Sequence, residues 1–311
     1  MMTLRLSASA VRRAAFAAAG ALALTAAAPA PQDMSLFADD APPPEEWASQ
    51  LKAGQLKPRP AADRTGAKQV NIIFEGYLLG LRVGKMSLTA YMAPEEYEVH
   101  SLMRTAGVAA LITNTQQRAF TVGAFKDGAA EPVFHAFTDR KKGETPQFVE
   151  LTYDEGENRV GMWSQPQRRM RHFVGPEDIE GAVDPMSGLV QVGMRLAGAS
   201  LAPCEQTAKI FDGRRRYDLR LEPVDLVELK DRNDRYNGRA YRCRVRYDQL
   251  AGFKPDVVEE DNDRTKAYMY FADFEGGVRL PVRAEVHGRF GGLTLIARDI
   301  RVQDWEPEAA G

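Results

Sequence analysis

The histidines are the first residues to examine for catalysis or metal binding, and their spacing matches no known motif. The chain has four, His100, His135, His172 and His287. It contains neither the HExxH pattern of zinc proteases nor the GxSxG turn of serine hydrolases. We interpret each histidine as a surface or hydrogen-bonded residue. The sequence therefore predicts no catalytic residue, no cofactor and no metal site.

One glycine-rich stretch resembles a phosphate-binding loop without meeting its requirements. Gly80–Lys85 has the sequence GLRVGK. Three residues instead of four separate its glycines, and Met86 stands where a hydroxyl side chain should follow the lysine. We interpret these glycines as parts of a hairpin or bulge in a tightly curled sheet.

Charged residues form two clusters, one acidic and one basic. The acidic cluster contains Glu259, Glu260, Asp261 and Asp263, and the basic run contains Arg168, Arg169, Arg171 and His172. The acidic cluster lacks the alternating ligands and central glycine of a calcium loop, so we interpret it as a solvated turn. The basic run is interpreted as a solvent-facing surface, with contact to anionic lipid or cell-wall polymer as the alternative.

The amino terminus has the three parts of an export signal. Arginines precede an apolar run, Ala14–Leu24, and small residues follow it in Thr25–Ala30. This pattern predicts a cleavable signal peptide over residues 1–28 and an exported protein. The run is short for a bilayer span, and no later stretch approaches twenty apolar residues, so we predict no transmembrane segment.

The predicted export decides how the two cysteines are interpreted. In an oxidising compartment Cys204 and Cys243 are most simply a disulfide. Such a bridge closes a loop of about 40 residues and constrains the unfolded chain by about 4 kcal/mol. The alternative is a nucleophilic cysteine, for which neither residue has a local signature.

Composition indicates one large soluble domain. Hydrophobic residues make up 44% of the chain and charged residues 27%, with a net charge of -2, which excludes wholesale disorder and gives no basic field for nucleic acid. Residues 29–69 are rich in proline and poor in apolar residues, so we predict a flexible arm there. A single domain over residues 70–305 follows, and residues 306–311 form a tail.

The predicted domain is mainly β. Many short apolar runs are separated by turn residues such as Asp127-Gly128, and Asp212-Gly213 and Asn237-Gly238 are the pairs preferred in two-residue hairpins. In Arg214–Leu221 and Ala240–Tyr247 arginines alternate with aromatic and aliphatic residues, which sends the two sets to opposite faces. Regular spacing of this kind predicts a rolled antiparallel sheet, such as an incomplete barrel or β-spiral.

One segment departs from the strand pattern. Asp184 is a good N-cap and Pro185 suits the first helical position, and Met186–Ala197 continues with a single narrow polar stripe. A helix that is apolar around most of its circumference must be buried on most sides. We therefore predict one buried helix near residues 185–197 that fills the curl of the sheet. The apolar stretch Ala106–Ile112 is interpreted as an ordinary core element, with a short helix or lid-like loop as the alternative.

Several motifs in order resemble one family. They are Phe74–Gly76, Arg104–Gly107, Asp184–Gly188, Phe211–Leu219 and Cys243–Tyr247. Together they resemble exported bacterial proteins catalogued as domain of unknown function 3108, from about residue 70 to residue 303. The resemblance implies a periplasmic β-rich domain whose biochemical role is not established, and it favours pairing of the two cysteines.

From the curled sheet and its helix we predict a periplasmic envelope protein without catalytic activity. It would bind a lipid or acyl group, or a protein partner, in or beside the curl, would support envelope integrity, and could touch the membrane surface. The side chains expected to face the ligand are Leu189, Val192, Leu196, Tyr217, Tyr241 and Tyr247. Two alternatives stay open, a cell-wall or polysaccharide-acting enzyme with carboxylates gathered in space and a scaffold without ligand.

Overall fold

The fold is taken from a computed structural model of the chain. It describes residues 62–111, 113–141, 143–153, 160–165, 174–196, 204–230, 236–253, 266–288 and 291–306. The predicted signal peptide, most of the predicted arm, the basic run and the acidic cluster lie outside these residues.

The described residues form one antiparallel sheet of fourteen strands. The strands are β1 (Lys68–Leu78), β2 (Leu81–Met92), β3 (Glu96–Thr105), β4 (Thr115–Lys126), β5 (Ala129–Lys141), β6 (Gln147–Tyr153), β7 (Val160–Gln165), β8 (Arg195–Leu196), β9 (Thr207–Phe211), β10 (Arg216–Leu229), β11 (Gly238–Ala251), β12 (Lys266–Phe274), β13 (Val278–Gly288) and β14 (Gly291–Asp304). Their spatial order is β7-β6-β5-β4-β3-β2-β1-β14-β13-β12-β11-β10-β9, and β8 pairs with β13. Within the described part the two end strands, β7 and β9, do not pair with each other, so the predicted rolled, incompletely closed sheet is confirmed.

Alternation of residue types builds the curl. On β10, Tyr217, Leu219 and Leu221 are buried in the main core, while Arg220 between them is exposed. Arg216 is the exception to the predicted polar face, because it is buried as well. Its Nε donates to the carbonyl oxygen of Asp178 at 2.9 Å, and a second guanidinium nitrogen donates to the Asp218 carboxylate, which satisfies the buried charge.

Two-residue hairpin turns occur at Leu79-Gly80, between β1 and β2, and at Asp127-Gly128, between β4 and β5. All four residues have positive φ, at +52° and +79° in the first turn and +50° and +78° in the second. This is the type I′ geometry, whose twist matches that of the flanking strands.

The predicted two-residue hairpins at Asp212-Gly213 and Asn237-Gly238 are wrong. The chain uses residues 212–215 between β9 and β10, and residues 230–237 between β10 and β11. The Asp212 carboxylate accepts from the backbone amides of Arg214 and Arg215 at 2.9 and 2.7 Å, which stabilises a wider turn.

Two α-helices are described, α1 (Pro176–Ile179) and α2 (Pro185–Val192), together with a short 3-10 helix at Gly107–Leu111. Helix α2 confirms the predicted buried helix but is shorter than predicted, since it ends at Val192. Gly193 leaves the helical conformation, and Arg195 and Leu196 pair with Arg279 and Val278 of β13 instead of adding a further turn.

Two glycines allow α2 to lie close to the concave face of the sheet. A Cβ added to Gly188 would come within 2.7 Å of the Ile210 side chain on β9, and one added to Gly193 would overlap the ring of Phe271 on β12. The apolar residues of α2 belong to the same core as residues of β1, β2 and β9–β14. The helix therefore fills the curl, as the sequence predicts.

The two cysteines form a disulfide. Cys204 precedes β9 and Cys243 lies on β11, with Cα atoms 5.2 Å apart, and both residues are buried in the main core. Because β10 lies between β9 and β11, the bridge fixes the segment that enters β9 to a strand two positions along the sheet.

We expect the double variant C204A/C243A to have a free energy of unfolding lower by about 4 kcal/mol, because the unfolded chain gains the freedom of a loop of 39 residues. Denaturant unfolding with and without reductant measures this difference. Reductant should destabilise the wild type and leave the variant unchanged. Equal stability of the oxidised wild type and the variant would contradict the prediction.

Candidate functional site

A cluster of five buried polar side chains surrounds the beginning of α2. We call it the Asp184 cluster, and its members are Tyr97, Thr121, His135, Asp184 and Ser187. They come from β3, β4, β5, the residue before α2 and α2 itself. None is more than 4% exposed, so the cluster is sealed from solvent.

The Asp184 carboxylate caps the helix. Its Oδ1 accepts from the backbone amides of Met186 and Ser187 at 2.9 and 3.0 Å, and Pro185, which precedes them, has no amide hydrogen to satisfy. Its Oδ2 accepts from the Ser187 hydroxyl and lies 3.0 Å from the Thr121 hydroxyl. The local sequence thus produces the cap, and the sheet supplies the rest of the carboxylate's partners.

Further contacts tie the same helix end to the sheet. The Tyr97 hydroxyl donates to the Ser187 hydroxyl at 2.8 Å, and Nδ1 of His135 lies 3.0 Å from Oδ1 of Asp184. Three neighbouring strands therefore hold one end of α2, and the orientation of the helix inside the curl is fixed there.

Asp184 carries its charge in spite of complete burial. Burial acts to raise the pKa of this carboxyl, but the neighbouring His135 imidazole and the hydrogen bonds from Ser187 outweigh it, so the pKa lies below the usual value. For Tyr97, burial first and then the nearby Asp184 charge raise the pKa of the phenol well above its usual value. The cluster thus holds one anion, with the Tyr97 phenol protonated nearby.

The order of contacts in the Asp184 cluster differs from that of a hydrolase triad. In a triad the imidazole lies between the nucleophilic hydroxyl and the carboxylate. Here the carboxylate lies between Ser187 and His135, so its hydrogen bond restrains the hydroxyl instead of activating it. The arrangement stabilises a helix end and presents no reacting atom to solvent.

A second set of contacts joins aromatic rings at the edge of the main core. The ring centroids of Tyr217 and Tyr247 lie 4.8 Å apart, and that of Phe253 lies 6.0 Å from Tyr247. The Tyr247 hydroxyl is buried and has no hydrogen-bond partner in the described part of the chain. Burial raises the pKa of this phenol above its usual value. The Arg215 guanidinium lies 5.4 Å from the Phe253 ring centroid, beside this group.

The residues predicted to face a ligand are only partly brought together. Leu189, Val192 and Tyr217 are buried in the main core, and Tyr241 and Tyr247 pack against it from β11. Tyr217 and Tyr247 are in contact, whereas Tyr241 lies six residues from Tyr247 along the same strand. The sixth, Leu196, lies on β8 rather than on the helix, and its side chain is outside the described part.

The sequence indicated only Asp184 among the members of the cluster, as an N-cap. His135 was interpreted as a surface or hydrogen-bonded residue, and it lies buried at ion-pair distance from Asp184. Polar residues on the concave face of strands were the available signal for Thr121 and Tyr97. That signal does not say which element such side chains would meet.

The comparisons with known proteins add a family and one solved structure. The family described as "Protein of unknown function (DUF3108)" matches residues 70–298. The crystal structure of a beta-barrel-like protein of domain of unknown function DUF1849 from Brucella abortus is similar over 77% of this chain and 98% of that one, with 11% identity and a TM-score of 0.45. No curated protein matches. Among the described residues, every helix is too short or too polar to cross a membrane.

We expect D184A to lower the free energy of unfolding by about 3 kcal/mol, because it removes the helix cap and leaves several buried donors without their acceptor. D212A is the matched control, since Asp212 also accepts two backbone amides but in a half-buried turn. It should cost about 1 kcal/mol. Chemical denaturation of both variants measures the difference, and equal losses would contradict a special role for the buried cluster.

The same carboxylate predicts a dependence on pH. A group whose pKa is lowered by folding stabilises the native state above its unfolded-state pKa, and that contribution is lost as the pH falls through the lower folded-state pKa. The stability advantage of wild type over D184N should therefore shrink as the pH falls below about 4. A difference that grows toward acid pH would contradict this assignment.

Proposed function

We propose, for a chain that belongs to the DUF3108 family of proteins of unknown function, a non-catalytic role in the bacterial cell envelope: the exported protein binds an apolar ligand, the acyl chain of a lipid or fatty acid, in the curled sheet. The observation that carries the proposal is the unsatisfied hydroxyl of Tyr247 at the edge of an otherwise apolar core.

A buried hydroxyl without a partner costs free energy, and a bound oxygen atom would recover it. The Asp212 carboxylate acts on Tyr217 and Tyr247 more strongly than the positive charge of Arg215 does, and it also accepts two backbone amides in its turn. A head-group oxygen that accepts from the Tyr247 hydroxyl therefore fits this end of the core, with the acyl chain directed among the apolar side chains.

The acyl chain reaches the core of the sheet by way of helix α2. Its amino-terminal end is held by the Asp184 cluster, while Gly188 and Gly193 leave no spare room between the helix and the sheet. An acyl chain therefore enters by displacing the carboxyl-terminal end of α2, where Val192 and Gly193 lie. The Asp184 cluster holds the amino-terminal end of α2 in place during that movement.

Export is part of the proposal. It is supported by the amino-terminal pattern of arginines, apolar run and small residues, and a disulfide of this kind persists in oxidising compartments. Fractionation of cells and sequencing of the mature amino terminus test it. We expect a periplasmic protein beginning after about residue 28, and an unprocessed chain in the cytoplasmic fraction would contradict the proposal.

Ligand binding is tested on protein purified from the periplasm, by native mass spectrometry, lipid extraction and titration with a fluorescent fatty acid. We expect Y247F to weaken fatty-acid binding about tenfold, through loss of a hydrogen bond to the head group. Its stability should be equal or higher, because the unsatisfied hydroxyl is gone.

Y241F is the matched control, on the same strand and the same face, and should bind like the wild type. A protein that is empty on isolation and does not bind the fatty acid would favour the scaffold alternative. Equal binding by Y247F and wild type would remove the role of the tyrosine end.

A further inference from the structure

Large apolar side chains are exposed together at the β1–β2 turn. Leu78, Leu79 and Leu81 are 39%, 67% and 56% exposed, and Val108 of the 3-10 helix is 43% exposed. The 3-10 helix lies against β2, where the Ala106 amide donates to the carbonyl oxygen of Val83 at 3.0 Å. We call Leu78, Leu79, Leu81 and Val108 the leucine tip.

The β1–β2 turn places a leucine in a backbone conformation that is unfavourable for it. Leu79 has a φ of +52°, a conformation that favours glycine, asparagine or aspartate and is costly for leucine. The β4–β5 turn has the same geometry with Asp127 at the equivalent position, at φ +50°. Leu79 does contact the backbone of Gly291 in the neighbouring hairpin, but most of its surface stays exposed. An exposed leucine at a strained position points to a role outside folding.

Basic residues lie next to the leucine tip. Arg82 follows it directly with a side chain that is 47% exposed, and Lys85 pairs across the sheet with Arg104 of β3. Glu75 is an acid in this region, and it faces Lys85 across the strands and is only 14% exposed. Its carboxylate is held by Arg82 at 2.9 Å and by Arg298 at 3.2 Å, so two guanidinium groups meet one carboxylate.

Apolar side chains at a turn with a basic surround match an anionic lipid surface, where leucines enter the boundary between head groups and acyl chains and the cations contact phosphates. A second copy of the chain fits less well, because a symmetric contact through this tip would bring Arg82 and Lys85 of both copies together. We propose that the leucine tip is a membrane-docking element that inserts into bilayers containing anionic lipid. This inference stands independently of any ligand in the core.

The test uses the full mature, disulfide-bonded protein and sedimentation with vesicles of phosphatidylcholine containing about 30% phosphatidylglycerol, compared with phosphatidylcholine alone. We expect wild type to bind the anionic vesicles, and L79N to bind them about tenfold more weakly. The thermal midpoint of L79N should be equal to or higher than that of the wild type, because asparagine suits the turn better. A merely structural leucine would give the opposite pattern, lower stability with unchanged binding.

Three controls separate the alternatives. D127L places a leucine in the equivalent turn between β4 and β5, away from the tip, and should lower stability without strengthening vesicle binding. L226N removes another exposed leucine, on β10, and should bind like the wild type. R82Q/K85Q should lose the preference for anionic vesicles.

Two results would overturn the proposal. One is a wild type that does not sediment with anionic vesicles, or that binds no better than L79N. The other is a wild-type dimer by light scattering that L79N converts to a monomer without any vesicle binding, which would assign the tip to a second copy. Fatty-acid binding by L79N should stay at the wild-type level, so the core ligand and the docking tip are tested separately.

Discussion

One buried carboxylate connects the two halves of this molecule. Asp184 caps α2 and contacts Thr121 and His135. The hydroxyl of Ser187, in the first turn of the helix, accepts a hydrogen bond from the Tyr97 hydroxyl. These partners come from β3, β4 and β5. The opposite contacts of the helix are to Ile210 of β9 and Phe271 of β12, which belong to the other half of the sheet. The helix is thus bonded through polar groups on one side and packed through close apolar contact on the other.

The polar and the apolar contacts of α2 contribute differently to the native structure. Apolar burial supplies most of the free energy but is tolerant of small rotations and shifts. A charged group inside that core is costly unless every partner is in place, so it selects one position of the helix. Gly188 and Gly193 then set how closely the helix approaches the strands. Apolar burial, the buried charge and the two glycines together specify a single position of α2 in the core.

Much of the fold could be predicted because its causes are local. Alternation of residue types in β10 and β11 indicates the buried face, and Asp184 with Pro185 marks the beginning of α2. The end of the helix could not be predicted, because Arg195 and Leu196 pair with a strand more than eighty residues later. The width of the turn at Asp212-Gly213 depends on the Asp212 carboxylate bonding two following amides, which the dipeptide alone does not indicate.

The candidate site was harder to predict for the same reason. Tyr97 and Ser187 are 90 positions apart, and Thr121 and Asp184 are 63 apart, so no spacing rule brings them together. Burial of Arg216 depends on the Asp178 carbonyl oxygen of another segment. Of the six side chains predicted to face a ligand, the pair Tyr217 and Tyr247 is in direct contact. Period-two alternation placed both on the concave face, but their contact depends on the register between β10 and β11.

The pairing of β1 with β14 has a consequence for how the chain acquires its shape. Lys68 lies opposite Asp304, and this seam stands in the middle of the strand order, with one meander running outward to β7 and the other to β9. Each meander therefore keeps an unpaired inner edge until β14 has emerged from the ribosome. Contacts this distant in sequence make assembly slow. A nascent chain stopped before β14 would hold two open half-sheets, the state in which chaperones and proteases most readily engage it.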